Sequence, residues 1–342
     1  MTIRKVGIIG ASGFAGLETM RMCALHPELE VVVATGDSMA GTRAAQLYPS
    51  LEAAYPNLVF APTSAEAVDG CDIVFLGMPH GASQDVVPDL IGRVGMIIDL
   101  AADFRLKDPE LYPKWYGEAH KAPELLAQFA YGLPELFRQP LIGATKIATP
   151  GCYPTAASLA IAPLVRNEVI ETTGIVVNAV SGVSGAGRTL KHTTHFNTVD
   201  EDVTAYGLLD HRHTPEIEQC TGAQVLFTPH LVPMNRGILA TIYAKPVAGT
   251  TPTTESLLAV LARDYRNDPF VVVRPTPPST KATMGSNCCH LSARYDERTD
   301  TVIILSAIDN LVKGTAGQAV QSMNVALGLP ETLGLPMIGL YP

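Results

Sequence analysis

One cysteine stands between two prolines in Thr149-Pro150-Gly151-Cys152-Tyr153-Pro154-Thr155, directly before an apolar run over residues 156–165. Proline suits the first position of a helix, where its missing N–H would be unpaired anyway. The spacing therefore predicts a helix opening at Pro154, with Cys152 just ahead of it. Unpaired amides and the positive end of the helix dipole meet there, and both favour a thiolate over a thiol. Such a thiolate is a candidate covalent nucleophile. The competing reading is a small buried cysteine that only packs. A nucleophilic thiol also needs a proton partner, most often histidine. His211 and His213 lie in the run HRHTPEI, just before Pro215, so both fall on a loop that leads into a helix. With His192 and His195 they could also offer metal ligands. No cysteine or carboxylate completes a recognised zinc spacing, so no metal is expected, and His192 and His195 read as surface or helix-end residues.

These groups need a scaffold. Residues 5–9 read as a short buried strand, residues 17–25 as a helix and residues 31–35 as the next strand. Between the first two lies Gly10-Ala11-Ser12-Gly13-Phe14-Ala15-Gly16. Its glycines allow a tight turn and close backbone approach, and the helix that follows offers amides to a pyrophosphate. Gly10, Ser12, Gly13, Phe14, Ala15 and Gly16 are thus candidate cofactor-binding residues, although GxxGxxG is not the commoner GxGxxG spacing. Residues 72–78 and 96–100 read as further buried strands around a helix over 82–91, which continues a doubly wound parallel sheet. His80 follows the first of these strands and reads as a turn residue.

Beyond Cys152 the rhythm changes. Residues 175–180, 225–227, 238–244, 270–273, 289–295 and 301–308 read as strands, several separated only by turns, with one helix over 255–265. The run Ser181-Gly182-Val183-Ser184-Gly185-Ala186-Gly187-Arg188 reads as a flexible glycine-rich loop. A last helix over 313–327 is expected to return to the first domain. The fold class is therefore α/β, with a Rossmann-type doubly wound parallel sheet domain plus an α+β domain carrying a mixed or antiparallel sheet. The expected division is 1–150 plus 312–342 for the dinucleotide domain, and 151–311 for catalysis, substrate binding and oligomerisation.

Composition narrows the classes. The formal net charge is −9 with no Lys/Arg cluster, which argues against nucleic acid or an anionic membrane as partner. No apolar run is long enough to span a bilayer, and the first residues lack a signal-peptide layout. Six scattered cysteines form no CxxC, which fits reduced thiols in a cytoplasm. A hydride carrier bound to the first domain and a cysteine at the domain junction together suggest an oxidoreductase that works through a thioester.

Longer motifs sharpen that reading. GASGFAG (10–16), DLAADFRL (99–106), YGLPEL (131–136), PGCYPT (150–155), SGVSGAGR (181–188), HRHTPEI (211–217), TPHLVPM (228–234), RGI (236–238) and DNLVKGTAG (309–317) occur in this order. In these stretches, which span nearly the whole chain, the sequence resembles the N-acetyl-gamma-glutamyl-phosphate reductase family of arginine biosynthesis. That family is similar in fold and thioester chemistry to aspartate-semialdehyde and glyceraldehyde-phosphate dehydrogenases, and it reduces a small acyl phosphate to a semialdehyde with NADPH. The resemblance implies Cys152 as nucleophile, His213 as general acid/base and His211 beside it. It implies Asn310 on the nicotinamide carboxamide, with Ser184 and Gly185 beside the ring. Arg105 and Arg236 become candidates for the substrate's phosphate or carboxylate, since guanidinium suits both through bidentate bonds. A structural salt bridge would explain either arginine equally well. A homodimer or homotetramer is expected.

The cofactor is expected to be NADP, against one local signal. Asp37 lies about twenty residues after Gly16, the spacing at which an acidic residue holds the adenosine ribose and favours NAD. Ser38 and Arg43 could instead receive the 2′-phosphate of NADP, with Asp37 turned to solvent. The alternatives weighed are the same chemistry on a carrier-protein-bound aminoadipyl phosphate of lysine biosynthesis, an aspartate-semialdehyde dehydrogenase, and a non-catalytic NADP sensor.

Overall fold

The structure is a computed structural model that describes residues 2–342. It divides into two compact units: residues 1–150 with 315–335, and residues 151–314 with 336–342.

In the first unit, six strands form one sheet: β1 (Arg4–Ile9), β2 (Leu29–Ala34), β3 (Ile73–Leu76), β4 (Met96–Asp99), β5 (Ala130–Tyr131) and β6 (Lys146–Ala148). Their spatial order is β2-β1-β3-β4-β6-β5, and every pair is parallel. All residues of β3 and β4 are buried, as the continuous apolar runs of a sheet covered on both faces require. The Phe14–Leu25 helix follows β1, and Ser83–Leu90 follows β3. A stacked Phe104–Phe129 pair, with ring centroids 4.2 Å apart, joins the core that includes Val74, Leu76 and Ile97. The Gly317–Ala326 helix also belongs to this unit, and all of its residues are buried. Its polar side chains are satisfied in place. Gln318 and Ser322 both donate to the Gly132 carbonyl, at 3.0 and 2.9 Å, and Asn324 donates to the Leu333 carbonyl at 2.9 Å.

The second unit holds β7 (Ile175–Gly182), β8 (Thr204–Ala205), β9 (Val225–Val232), β10 (Ile238–Ala244), β11 (Val271–Val273), β12 (Cys289–Asp296) and β13 (Thr301–Ile308). They lie in the order β11-β12-β13-β10-β7-β9-β8. The β7–β9 and β11–β12 pairs are parallel and the others antiparallel, so the sheet is mixed. Residues alternate along β10, with Ile238, Ala240, Ile242 and Ala244 buried. The Cys152–Arg166 and Thr254–Asp264 helices pack on this sheet.

Three readings of the sequence change. The cysteine helix opens at Cys152, with Gly151 as its cap, so Pro154 is the third helical residue and not the first. Any of the first helical positions tolerates proline, because none of those amides has an intrahelical acceptor. The run 181–188 is not a bare loop. Ser181 and Gly182 complete β7, and Val183–Ala186 forms a 3₁₀ turn. Backbone bonds from Gly182 to Gly237, Val183 to Met234 and Ser184 to Asn235 hold it. The segment 336–342 groups with the second unit, where Leu340 N–H donates to Met284 O at 2.7 Å and Cys288 Sγ to Met337 O at 3.2 Å. No helix among the described residues is long and apolar enough to cross a membrane.

Candidate active site

Cys152 is the first residue of a fifteen-residue helix. Its cap residue, Gly151, has no side chain to bond the first amides, and the positive end of the helix dipole meets the cysteine. The next residues turn inward: Tyr153 to Leu164 are buried, while Cys152 stays half-buried. The other five cysteines are all buried. One carboxylate fixes the turn into the helix: Glu216, itself fully buried, accepts the Gly151 N–H at 2.8 Å. Glu216 belongs to the Thr214–Thr221 helix, whose cap is His213. A single hydrogen bond thus ties the cap of the cysteine helix to the helix that carries the histidine.

The two histidines have different environments. The His213 amide donates to His211 Nδ1 at 3.1 Å, so a neutral His211 carries its proton on Nε2. Burial, helped by the charge of Arg212, lowers the His211 pKa to about 4, so the ring stays neutral near pH 7. Its ring packs among Tyr153, Tyr206, His213 and Phe227, with centroids 4.8–5.8 Å away. Tyr153 and Tyr206 meet hydroxyl to hydroxyl at 3.1 Å. Cys152, Tyr153, Tyr206, His211, Arg212 and His213 all line one cavity of about 380 Å³, together with Ser181, Gly185 and Lys191.

The wall beside it is built around two buried polar residues. Asn310 accepts the Gly237 N–H through Oδ1 at 2.7 Å and donates to Ser184 Oγ at 3.0 Å. Asp309 accepts the Gly285 N–H at 2.6 Å and the Leu311 N–H at 2.8 Å, and pairs with Arg236 at 3.1 Å. Ser184, Gly185 and Asn310 therefore form one cluster, and Arg236 is engaged by Asp309. In the first unit, Arg105 is buried and donates to the carbonyls of Thr149 and Leu100, at 2.7 and 2.8 Å. Both arginines thus hold bonds to groups of the protein. The sequence reading passed over Arg212 and Lys191, which face the cavity. Arg212 lay inside a motif already quoted, but nothing in its spacing distinguished it.

Gly314 also shapes the site. A Cβ there would sit 2.7 Å from Cys152 Cβ and 3.1 Å from its Cα, so only glycine lets this segment press on the nucleophile. Gly314→Ala is expected to displace the thiol. Misplacement by about 1 Å costs on the order of a hundredfold in rate. We expect kcat to fall on that scale while cofactor affinity, measured by titration calorimetry, stays near wild type. An unchanged kcat would show that the helix start can shift without harm.

The glycine turn of the first unit has the form of a dinucleotide cradle. Gly10 has φ +79°, and a Cβ on it would lie 2.6 Å from Gly77 O. A Cβ on Gly16 would lie 2.4 Å from Ala11 Cα, so those two glycines serve packing. Gly13 is different: nothing comes nearer than 3.6 Å to its missing side chain. It caps the Phe14–Leu25 helix without a side-chain bond, and Ser12, Gly13, Phe14 and Ala15 are all half-buried. Space and a helix start coincide there, which suits a pyrophosphate. A Cβ on Gly36 would meet Ser12 at 2.8 Å, so the turn carrying Asp37 and Ser38 lies against the cradle, and both of those side chains are exposed. Arg43 donates to Pro56 O at 3.1 Å and lies 3.8 Å from Glu52. At the end of β3, His80 Nδ1 lies 2.5 Å from Asp103, whose carboxylate also accepts from Ser83 Oγ at 2.6 Å. Burial alone would raise the Asp103 pKa, but these partners and the Gly81 amide hold it near 2.

Residues 5–144 match the model of the semialdehyde dehydrogenase NAD binding domain, and residues 152–310 match that of the semialdehyde dehydrogenase dimerisation domain. The N-acetyl-gamma-glutamyl-phosphate reductase of Symbiobacterium thermophilum is 49% identical, with both chains covered in full. That of Desulforamulus reducens is 44% identical over 99% of each chain. Among solved structures, aspartate semialdehyde dehydrogenase II of Vibrio cholerae shares the fold with a TM-score of 0.71 at 15% identity, over 95% of this chain and 98% of that one. The Candida albicans aspartate semialdehyde dehydrogenase solved with NADP has a TM-score of 0.65 at 14% identity, over 95% and 98% of the two chains.

Proposed function

Since this chain belongs to the N-acetyl-gamma-glutamyl-phosphate reductases of the semialdehyde dehydrogenase family, we propose that it reduces N-acetyl-glutamyl 5-phosphate with NADPH. The products are N-acetyl-glutamate 5-semialdehyde and phosphate, a step of arginine biosynthesis. The observation that carries this reading is Cys152 at an uncapped helix start, lining one cavity with His213.

In this reading the Cys152 thiolate attacks the acyl carbon, the carbon–oxygen bond to phosphate breaks, and a thioester remains on Sγ. NADPH, when bound, supplies the hydride that takes the thioester to the aldehyde level. Protonated His213 stabilises the oxyanion that forms on the acyl oxygen. Loss of the aldehyde returns the electron pair to Sγ, where the helix amides stabilise the thiolate. His211, neutral and bonded to the His213 amide, orients its neighbour. Ser12, Gly13, Phe14 and Ala15 would hold the pyrophosphate, with Gly10 and Gly16 shaping the turn. Ser184, Gly185 and Asn310 would flank the nicotinamide. The test is the reverse reaction. NADP reduction by the semialdehyde should require inorganic phosphate, and turnover without phosphate or a substitute oxyanion would sink the reading.

NADP is the proposed cofactor, and Ser38 and Arg43 are its proposed 2′-phosphate ligands. Exposed Ser38 supports this, as does Arg43, whose side chain is 51% exposed. The NADP-bound Candida albicans relative in fold lends support. Steady-state kinetics should show a higher kcat/KM with NADPH than with NADH, and Arg43→Ala should lose that preference selectively. A wild-type preference for NADH would mean that Asp37 governs the pocket. Assembly into a homodimer or homotetramer is proposed through the second unit, supported by its match to a dimerisation domain. Light scattering should give a mass well above 36.3 kDa.

A further inference from the structure

One turn of the second unit is fastened from outside. It runs from Met284 to Cys288, between the Thr280–Thr283 helix and β12, and the segment 336–342 lies along it. Leu340 N–H donates to Met284 O at 2.7 Å, Asn287 N–H to Pro336 O at 2.8 Å and Cys288 Sγ to Met337 O at 3.2 Å. Glycines on both sides permit the closeness. A Cβ on Gly339 would collide with Ala282 O, and one on Gly285 would lie 2.9 Å from Leu340 Cδ1. The segment adds little to the core, because Met337, Ile338, Leu340 and Tyr341 are all exposed. The same turn reaches towards the nucleophile. Gly285 N–H donates to Asp309 Oδ2 at 2.6 Å, and Asp309, fully buried, also accepts the Leu311 and Val312 amides at 2.8 and 3.1 Å. Its own carbonyl accepts the Gly314 N–H at 2.9 Å. Asp309 thus sets the backbone from Asn310, which bonds Ser184, to Gly314, which lies against Cys152.

We propose that the segment 336–342 is a positioning strap for the nucleophile, acting through the Met284–Cys288 turn and Asp309 on Asn310 and Gly314. The proposal rests on the reductase reading above for what is positioned, a thiol that must meet an acyl carbon and then a hydride donor. A buried carboxylate is placed by the donors aimed at it, and those bonds are strong in a low dielectric. Of the donors to Asp309, the Leu311 and Val312 amides belong to the segment being positioned and move with it. Arg236 and the Gly285 amide come from elsewhere, and of these Arg236 keeps 20% of its side chain exposed. Gly285 is therefore the buried anchor. It stands at φ +78°, and a glycine has little conformational preference of its own, so its neighbours must hold it there. The strap does this. It bonds the turn on either side of Gly285, at Met284 and Asn287, and lays Leu340 over it. Loosening the strap frees the turn, weakens the Gly285–Asp309 bond and lets Gly314 draw away from Cys152.

The test uses the full chain with either of two changes. Gly339→Ala drives the strap off Ala282, and Leu340→Pro removes the N–H that Met284 accepts. Hydrogen exchange is read by mass spectrometry on the cofactor-free protein. Exchange over 284–288 and 309–314 should quicken about tenfold in both variants, the scale of one lost hydrogen bond, while β10 keeps its wild-type rate. Thermal unfolding should stay near that of the wild type, since the strap buries little. In the reverse reaction kcat should fall about tenfold or more, because misplacing a reacting group by about 1 Å costs on the order of a hundredfold. Leu340→Met keeps both the N–H and the apolar cover, and it should match the wild type in exchange and in kcat. Unchanged exchange over 309–314 overturns the strap, as does faster exchange there with kcat unchanged. Equal quickening in β10 also overturns it, because the segment would then serve overall stability. Exchange needs no turnover, so a wild type without phosphate-dependent NADP reduction would overturn the reductase reading and leave the link from the strap to 309–314 standing.

Discussion

A Cys152→Ser enzyme is expected to bind cofactor normally and to turn over roughly a thousandfold more slowly, or worse, because a hydroxyl at the same position has no comparable anionic form to attack with. The expectation rests on placement. Cys152 is the one half-buried cysteine of six, and it begins a helix whose cap residue, Gly151, has no side chain to bond the first amides. Those amides stabilise a thiolate but do little for a serine hydroxyl, whose proton is held far more tightly. Iodoacetamide should therefore label Cys152 ahead of Cys23, Cys71, Cys220, Cys288 and Cys289, all of which are buried. Bound acyl phosphate should protect it. Peptide mapping after brief labelling, with and without acyl phosphate, reads both points, and steady-state kinetics reads the turnover of Cys152→Ser. Wild-type turnover in Cys152→Ser would end the thioester mechanism.

His213→Asn is expected to lower kcat by roughly a hundredfold or more, the usual scale of general acid–base help. His211→Asn should cost less, because a ring whose pKa is about 4 and whose Nδ1 accepts the His213 amide cannot exchange protons near neutrality. The two histidines also separate by stability. His211 is held below its ordinary 6.5 in the folded chain, so between those values the unfolded chain binds the extra proton. Stability should then fall as pH drops from about 6.5 towards 4, and His211→Asn should flatten that slope. Greater catalytic damage from His211→Asn than from His213→Asn would reverse the two roles.

Much of the scaffold was legible in the sequence because its signals are local. The strand–glycine–helix opening and the apolar runs of β3 and β4 carry their own periodicity. Residues 238–244 and 301–308 were bounded without error, since alternation runs the whole of the first and the first five residues of the second. Strand β9 was read only to Phe227 but runs to Val232, because Pro229 reads as a strand end. Strands β5 and β6 went unread at two and three residues, too short for any period to register. In the candidate site, the cysteine and histidines were found through their helix starts. The arginines were not sorted, because a guanidinium looks the same in sequence whether it will hold a ligand or a neighbour. Asp309, which engages Arg236, lies 73 residues further along the chain. Likewise, Gly314 could not be tied to Cys152 before the two backbones were seen to touch.

The first unit is discontinuous, and that bears on how the protein is made. Residues 1–150 leave the ribosome long before 315–335, and the whole of 151–314 is synthesised between them. Until then the six-stranded sheet lacks the Gly317–Ala326 helix, which in the finished unit packs on the Phe14–Leu25 helix, the Pro134–Leu141 helix and β6. The nascent unit must wait with that seat exposed to solvent, a condition that invites aggregation or capture by a chaperone. The second unit, nearly continuous, can close first. A message truncated after codon 314 would then yield a folded cysteine-bearing half joined to an unfinished one, and its N-terminal half should be the part that proteases remove.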